Sequence, residues 1–545
     1  MGEWTGVGSL SVRSNVRRKA RRLCALFVSV ALAVSPASQA AATLPTGGVI
    51  RYGEGAIGDP ANGTLTVTQS GERMVIDWTT FSIGKENAVY FDQALGSRAI
   101  VLNRVLGGDM SEIYGRLQAD GQVFLINPQG ILFGDGARVD VGGLVASSLA
   151  ISDDDFLAGR YRFAGGEVAG PVTNRGVIEA GASGEQGTSA ERGGYVALLA
   201  PQVHNDGRIS AHLGTVVLGA GGAAALELEG GGLLSFAIEE EAAGAYLANR
   251  GELLADGGVV WLEAKARDAL LATVVNQEGT VRARGAQARE GRMVLYGGES
   301  GVVEVRGTLD ASGTTGGAID VTGERVALFG GSVVDATGET GGGRVRIGGG
   351  YQGQEEDIAN ARAVYAAEGA RIDASALAEG DGGRVIVWSD ESTRLYGSIA
   401  ARGGERGGDG GFVETSGGVL TLSGQVDVSA PRGKAGAWLL DPYNITIVEA
   451  GEENVRGDGG VWESADDDGV VLASSLLAAL REGSNVTVRT GAGGGQEGNI
   501  TVAAPLLWET GAALTLEAHN NILIEKEITA TAGPLVLKGQ VQFCL

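Results

Sequence analysis

Cysteine is nearly missing from this chain: Cys24 and Cys544 are the only two among 545 residues. A disulfide-framed scaffold is therefore excluded, and the fold must be held by its own core. Histidine is as scarce, and His204, His212 and His519 have no ligand partner at useful spacing, which leaves no histidine-based metal site to propose. No Gly-x-Ser-x-Gly elbow, phosphate-binding loop or Cys-x-x-Cys pair occurs, so the common nucleophile, nucleotide and thiol-redox signatures are absent. Aromatics make up 5% and prolines number ten. Past Val34 no apolar run approaches the ~20 residues of a membrane-spanning helix.

What is there begins with an export signal. Arg13, Arg17, Arg18, Lys19, Arg21 and Arg22 precede the apolar run Leu23–Val34, and small residues follow at Ser38-Gln39-Ala40 and Ala40-Ala41-Ala42. A basic start, a short apolar core and an A-x-A-like site predict a secretory signal peptide over residues 1–40. Cleavage is expected after Ala40 or Ala42. Cys24 leaves with this leader, so the mature chain keeps Cys544 alone.

Glycine is abundant, 94 of 545 residues, more than twice the usual ~7%, yet there is no Gly-X-Y period to suggest collagen. Hydrophobic content of 43% is enough to build a core. The net charge of −24 repels nucleic acid and anionic lipid. It also discourages edge-to-edge association of a long β protein.

Repeats account for the glycine. A strand, a small-residue turn, a Gly pair and a second strand recur at Leu309–Val321, Val334–Ile347 and Ile372–Val387, with looser copies at Ile399–Thr415 and Val177–Leu198. Asp310 to Asp335 is 25 residues, and Asp335 to Asp373 is 38 because Gly348–Tyr365 inserts a loop. The paired glycines are expected to supply corners with φ > 0. Alternation in Arg344-Val345-Arg346-Ile347 puts Val and Ile on one face and Arg on the other. Such coils bury one continuous interior only when stacked. The expected fold is all-β, a right-handed parallel β-helix (solenoid) with an N-terminal cap and short extra-helical elements. At roughly 20–25 residues per coil it would have ~20 coils.

The pattern changes along the chain. Residues 41–170 are less regular and include Ser152–Phe163, which reads as a short helix capped by Ser152 or Asp153. Residues 171–440 are the repetitive β-helix. Residues 441–545 follow a break at Ala437–Ile447, with a helix expected at Leu472–Gly483, Gly483 as its C-cap, and then further solenoid repeats. The chain stops mid-pattern at Phe543-Cys544-Leu545 without a polar capping repeat, which predicts a product cut from a longer gene.

The most informative stretch is Ala99–Gly134. Two apolar strands, Ala99–Leu102 and Gln122–Ile126, each end in asparagine, at Asn103 and Asn127. Pro128 and Gly130 set a turn after the second. A buried asparagine amide can both donate and accept, so it can bridge backbone groups of neighbouring coils. Asn127 is assigned to the fold on this ground, and for Asn103 a fold role and a recognition role both stay open.

The triplet Asn103-Arg104-Val105 and the run Asn127-Pro128-Gln129-Gly130 through Gly134 resemble the secretion domain of the filamentous haemagglutinin family, the exoproteins of bacterial two-partner secretion. The family usually has asparagine where this chain has Gln129. The resemblance implies an N-terminal two-partner-secretion domain over residues 41–170. Its partner would be an outer-membrane transporter whose periplasmic domains recognise the region around these motifs. No cofactor is expected, and the resemblance implies release to the medium or cell surface of a Gram-negative bacterium via Sec and the outer membrane. The absence of disulfides fits a chain that threads a pore unfolded.

Two functions remain. One is a secreted adhesin-type exoprotein with a host-cell or surface receptor; the other is a β-helix polysaccharide-degrading enzyme. Such enzymes line a groove with paired acids, arginines and aromatics, and no such grouping recurs across neighbouring coils in this sequence. The expectation is no enzyme and no metal. The clusters Asp153–Asp155 and Asp466–Asp468 and the Gly407–Gly411 run are read as solvated loops, the Arg456-Gly457-Asp458 tripeptide is a chance-level match to integrin ligands, and the sequons at Asn444, Asn485 and Asn499 need not be modified.

Overall fold

Strands stack in parallel on three faces of a β-helix. The computed structural model describes residues 43–165, 169–181, 193–267, 272–286, 289–449, 469–491 and 495–544. The signal peptide, the Arg456-Gly457-Asp458 tripeptide and Asp466–Asp468 lie outside them, as does part of the Val177–Leu198 copy. Face A begins Arg73–Trp78, Ile100–Val105, Gln122–Ile126 and Gly143–Ser147, each in register with the next. Face B begins Ser111–Ile113, Ile131–Phe133, Val172–Asn174 and Gln202–Asn205. Face C begins Thr64–Gln69, Ala88–Gln93, Arg116–Ala119 and Arg138–Val141 and grows to a 14-stranded sheet.

Alternation explains the interior. One coil contributes Val345 and Ile347 from face A, Val364 and Ala366 from face B, and Ile372 and Ala374 from face C, all buried. Each larger side chain is worth roughly 1.5–3 kcal/mol when buried, and it is buried only because neighbouring coils close over it. One apolar cluster consequently runs from Leu65 to Ile524. Asp310, Asp335 and Asp373 sit directly above one another. The 38-residue spacing is thus the same register step as the 25-residue one, with an insertion between them.

The Gly pairs are needed for a different reason from the expected one. Gly316, Gly342, Gly382 and Gly410 are not among the positive-φ residues. A Cβ there would instead lie 1.9, 1.8, 2.2 and 2.0 Å from a carbonyl oxygen of the next coil. Glycine is required by close backbone approach.

The N-terminal end is closed by strands that run against the helix. β1 (Val49–Tyr52) lies antiparallel to Arg73–Trp78, and β2 (Gly55–Ile57) antiparallel to Thr64–Gln69. Outside face A, a three-stranded antiparallel sheet of Tyr161–Ala164, Ala223–Glu229 and Gly232–Glu240 covers a second core. That core exists because the outward residues of face A are apolar here: Val75, Leu102, Phe124, Val145, Ala197 and Val217 stack in one row. Helix α1 (Asp153–Leu157) helps cover it, with Ser152 Oγ accepting the Asp155 N–H as cap. The expected helix is shorter than read: Gly159 at φ +74° ends it, and Tyr161 and Phe163 alternate inward as strand.

Near the C-terminus Gly469–Leu472 inserts between Phe412–Leu422 and Ile445–Val448, at the break expected there. Helix α2 (Ala473–Arg481) follows, with Glu482 as its C-cap and Gly483 at φ +93° one residue beyond. The last described strand, Leu535–Phe543, pairs with Leu514–Ile524.

Candidate functional site: asparagine corners and a clamped insertion

Asn127 closes a face A strand at a corner and is fully buried. Its Oδ1 accepts the Gln129 N–H at 2.9 Å, and its carbonyl accepts the Gly130 N–H at 2.9 Å, so the side chain and backbone shape one turn. Its Nδ2 donates to the Asp109 carbonyl and to Ser111 Oγ, both at 3.0 Å, in the preceding coil. Pro128 and Gln129 form the exposed tip of this turn. Gly130 sits at φ +106°, where a Cβ would lie 2.7 Å from the Pro171 carbonyl oxygen.

Asn103 points into the helix interior between Val101 and Val105, which are buried with it. It accepts from the Trp78 indole N–H at 3.0 Å and donates to the Phe124 carbonyl at 3.3 Å. It is a polar bridge between coils with no exposed surface. Arg104 faces outward and ties three elements together, bonding Asp77 at 2.7 Å and Asp153, at the start of α1, at 2.7 Å. Burial alone would lower its pKa; the hydrogen bonds to Asp153 and Asp77 outweigh that and raise it. The two motifs therefore meet through coil packing, with Arg104 reaching out to the extra-helical helix.

A second asparagine device was not read from the sequence. Asn174 Nδ2 donates to Asn205 Oδ1 at 2.8 Å, Asn205 to Asn249 at 2.7 Å, and Asn249 to Gln277 at 2.8 Å, all fully buried. The signal was available as Asn-Arg-Gly, Asn-Asp-Gly, Asn-Arg-Gly and Gln-Glu-Gly at 174–176, 205–207, 249–251 and 277–279. The middle residue alternates in sign, and Arg175–Asp206, Asp206–Arg250 and Arg250–Glu278 pair across coils at 3.8, 3.5 and 3.4 Å. Such exposed pairs add at most ~1 kcal/mol each.

The insertion after Gly348 builds the carboxylate–Arg–aromatic grouping that the sequence did not reveal. Arg346 faces outward as expected but is covered, its side chain 1% exposed. It pairs with Asp320 at 2.7 Å, Glu355 at 2.8 Å and Asp357 at 2.9 Å. Burial would lower its pKa, and these three carboxylates raise it instead. Arg384 stacks against Tyr351 and Phe412, 4.8 and 5.3 Å from the ring centres. At the tip, Gln352 takes a positive φ of 53°. Its backbone N–H donates to both Glu414 oxygens, at 3.2 and 3.3 Å, and its amide donates to Asp441 at 3.1 Å. Glu414 is wholly covered and Asp357 stays 61% exposed, so the contacts clamp the insertion onto the stacked coils.

Burial pushes the Glu414 carboxyl up to about 7; the Gln352 N–H and Arg384 pull it down, and Asp441 pushes it further up. A carboxyl raised in the folded state binds more protons folded than unfolded, so its contribution to stability falls as pH rises between 4.5 and about 7. Each pKa unit corresponds to about 1.4 kcal/mol. Glu414→Gln is accordingly expected to raise the melting temperature at pH 8 and leave it nearly unchanged at pH 4.5, measured by circular dichroism. An equal shift at both pH values would remove this assignment.

The fold and its corners define a class: a capped parallel β-helix with extra-helical cover over its first coils. Residues 55–320 match the family described as "TPS secretion domain", extending past residue 170. The chain is similar to the crystal structure of the HMW1 secretion domain from Haemophilus influenzae, with TM-score 0.62 and 29% identity, covering 73% of this chain and 100% of that one. It is also similar to a heme/hemopexin-binding protein of Haemophilus influenzae strain Rd, 29% identical over 253 residues, 46% of this chain and 27% of the relative. A second Haemophilus influenzae heme/hemopexin-binding protein is 36% identical over 99 residues, 18% of this chain and 11% of the relative. The chain thus spans about a quarter or less of these curated relatives. Residues 55–320 carry a match to a TPS secretion domain, on the fold seen in the HMW1 secretion domain.

Proposed function

We propose that the chain is delivered to the cell surface or medium through Sec and the partner transporter, and serves there as an adhesin-type exoprotein whose rod presents a receptor-binding surface. The observation that carries the export half is the secretion-domain match over residues 55–320. The receptor half is supported by the architecture: stacked coils with an acidic surface make a long scaffold, and solenoids of this kind use their extended faces for binding. The motif residues Asn103, Arg104, Val105, Asn127, Pro128, Gln129 and Gly130 act mainly by holding the first coils in register, leaving Pro128 and Gln129 exposed to a partner. The domain division proposed is a leader (1–40), a secretion region (41–170), a repetitive helix (171–440) and further coils (441–545). The polysaccharide-degrading alternative draws no support from the relatives, whose names describe binding and secretion. Those names offer a second reading, capture of a heme-carrying ligand, which heme–agarose retention of the secreted chain would test.

Export is tested by expressing the chain in a Gram-negative host with and without its transporter. The chain is expected in the medium or on the surface only with the transporter, and in the periplasm without it. Equal release in both strains overturns the assignment.

A further inference from the structure

Two arginines are buried among the described residues, and only one has its charge answered. Arg346 is 1% exposed and meets three carboxylates. Arg394 is 7% exposed and makes no ion pair among the described residues. Its Nη1 is closed off from solvent and has no hydrogen-bond partner. A guanidinium does not shed its proton in a protein, and a buried charge is stable only when paired. Water can satisfy an N–H, but it cannot cancel the charge.

The acids on its own strand are engaged elsewhere. Alternation along Arg384–Leu395 turns Thr393 and Leu395 inward, both buried, and Arg394 outward onto face B. Asp390 accepts the Asn360 amide at 3.0 Å and the Trp388 indole N–H at 3.2 Å. Glu391 takes Nε and Nη2 of Arg362, at 2.8 and 2.9 Å. Uncharged groups stand beside Arg394 instead, with Tyr365 in register one coil before it and Thr421 one coil after. Tyr396, two residues along, meets Tyr365 edge to face at 5.8 Å, and Phe329 meets Tyr365 at 6.4 Å. Thr421 and these three rings are each partly exposed, so face B presents an aromatic row with an unanswered positive charge beside it.

We propose that Arg394 anchors an oxyanion site on face B, which takes the carboxylate, sulfate or phosphate group of a ligand entering beside Tyr365 and Tyr396. The guanidinium fork matches two oxygens of one such group. The net charge of −24, which repels polyanions, favours a ligand with a single acid group. Asp466–Asp468 of this chain are the rival source of negative charge by sequence, since they precede Gly469–Leu472, which pairs with the strand that carries Thr421. The site does not depend on the export reading above.

The test is equilibrium dialysis of the purified chain against radiolabelled sulfate, with ionic strength held constant by chloride and with acetate and phosphate as competitors. The expected result is about one sulfate per chain, bound more weakly by about tenfold or more in Arg394→Gln, with unchanged circular dichroism. Arg394→Lys keeps the charge without the fork and is expected to bind between the two; it carries the test should Arg394→Gln fail to fold. Displacement by less acetate than phosphate assigns the site to a carboxylate, and the reverse order assigns it to a tetrahedral oxyanion. Sulfate bound equally by wild type and either variant, or not bound by wild type, overturns the site. Binding that appears only after Asp466, Asp467 and Asp468 are changed to Asn also overturns it, because the chain's own acids then fill the position.

Discussion

Asn127→Ala is expected to lower the melting temperature of the chain and the secreted fraction together. The substitution removes an acceptor from the Gln129 N–H and donors from the Asp109 carbonyl and Ser111 Oγ. Ser111 is buried and has no solvent to turn to, and an unpaired buried group costs about 1–3 kcal/mol. The loss falls at a junction between coils, where a solenoid transmits instability only to its neighbours, so the first coils should loosen before the rest. Asn127→Asp keeps the acceptor for Gln129 but sets a buried carboxylate oxygen against the Asp109 carbonyl, and it should destabilise at least as much as alanine at neutral pH. Thermal unfolding by circular dichroism and immunoblots of medium and periplasm read the two effects. If secretion falls while the melting temperature holds, the amide is read directly by the transporter and its corner role is secondary.

The second large effect concerns passage through the outer membrane. Ala311 and Ala336 are fully buried in adjacent coils, next to the stacked pair Asp310 and Asp335. Stacked neighbours lie ~4.8 Å apart, inside the ~4.4–6.8 Å span that disulfides bridge. Cysteines at both positions are expected to hold the chain in the periplasm under oxidising conditions, with secretion restored by reductant. The bond would close a 25-residue loop that an unfolded chain must carry through the pore as a bulky hairpin. Equal secretion of oxidised and reduced forms would remove threading as the reason this exported chain lacks disulfides.

Much of the fold was legible because a solenoid writes its geometry into its spacing. The Asp310, Asp335 and Asp373 repeats read directly as stacked coils, and the Gly348 insertion read as a loop between two of them. The acidic start of α1 marked its first turn correctly; its end was misjudged because Tyr161 and Phe163 answer to the outer core, which no local pattern announces. That core had a trace in the sequence. Tyr195–Ala200 and Thr215–Ala220 are continuous apolar runs with every residue buried, the mark of strands covered on both faces.

The glycine pairs show a different limit. Composition says that glycine is needed, but positive φ and close carbonyl approach are both compatible with it, and only coordinates separate them. At the candidate site, Asn127 was assigned to its corner from Pro128 and Gly130 alone. Asn103 could not be, because its partner Trp78 lies 25 residues away and becomes a neighbour only after one coil is complete. The Arg346 cluster was hidden for the same reason: Asp320, Glu355 and Asp357 converge through stacking and an insertion. The Asn174 ladder, by contrast, has a local trace in the sequence, the Asn-x-Gly repeats at 174–176, 205–207 and 249–251.

We propose that the N-terminal coils, and not the coils behind them, carry the information for export. Residues 1–320 followed by a passive reporter, expressed with the transporter, put it to the most direct test. The reporter is expected in the medium with the transporter present and in the periplasm without it. Equal transporter-dependent release of the same reporter behind residues 1–42 joined directly to 321–544 would contradict it.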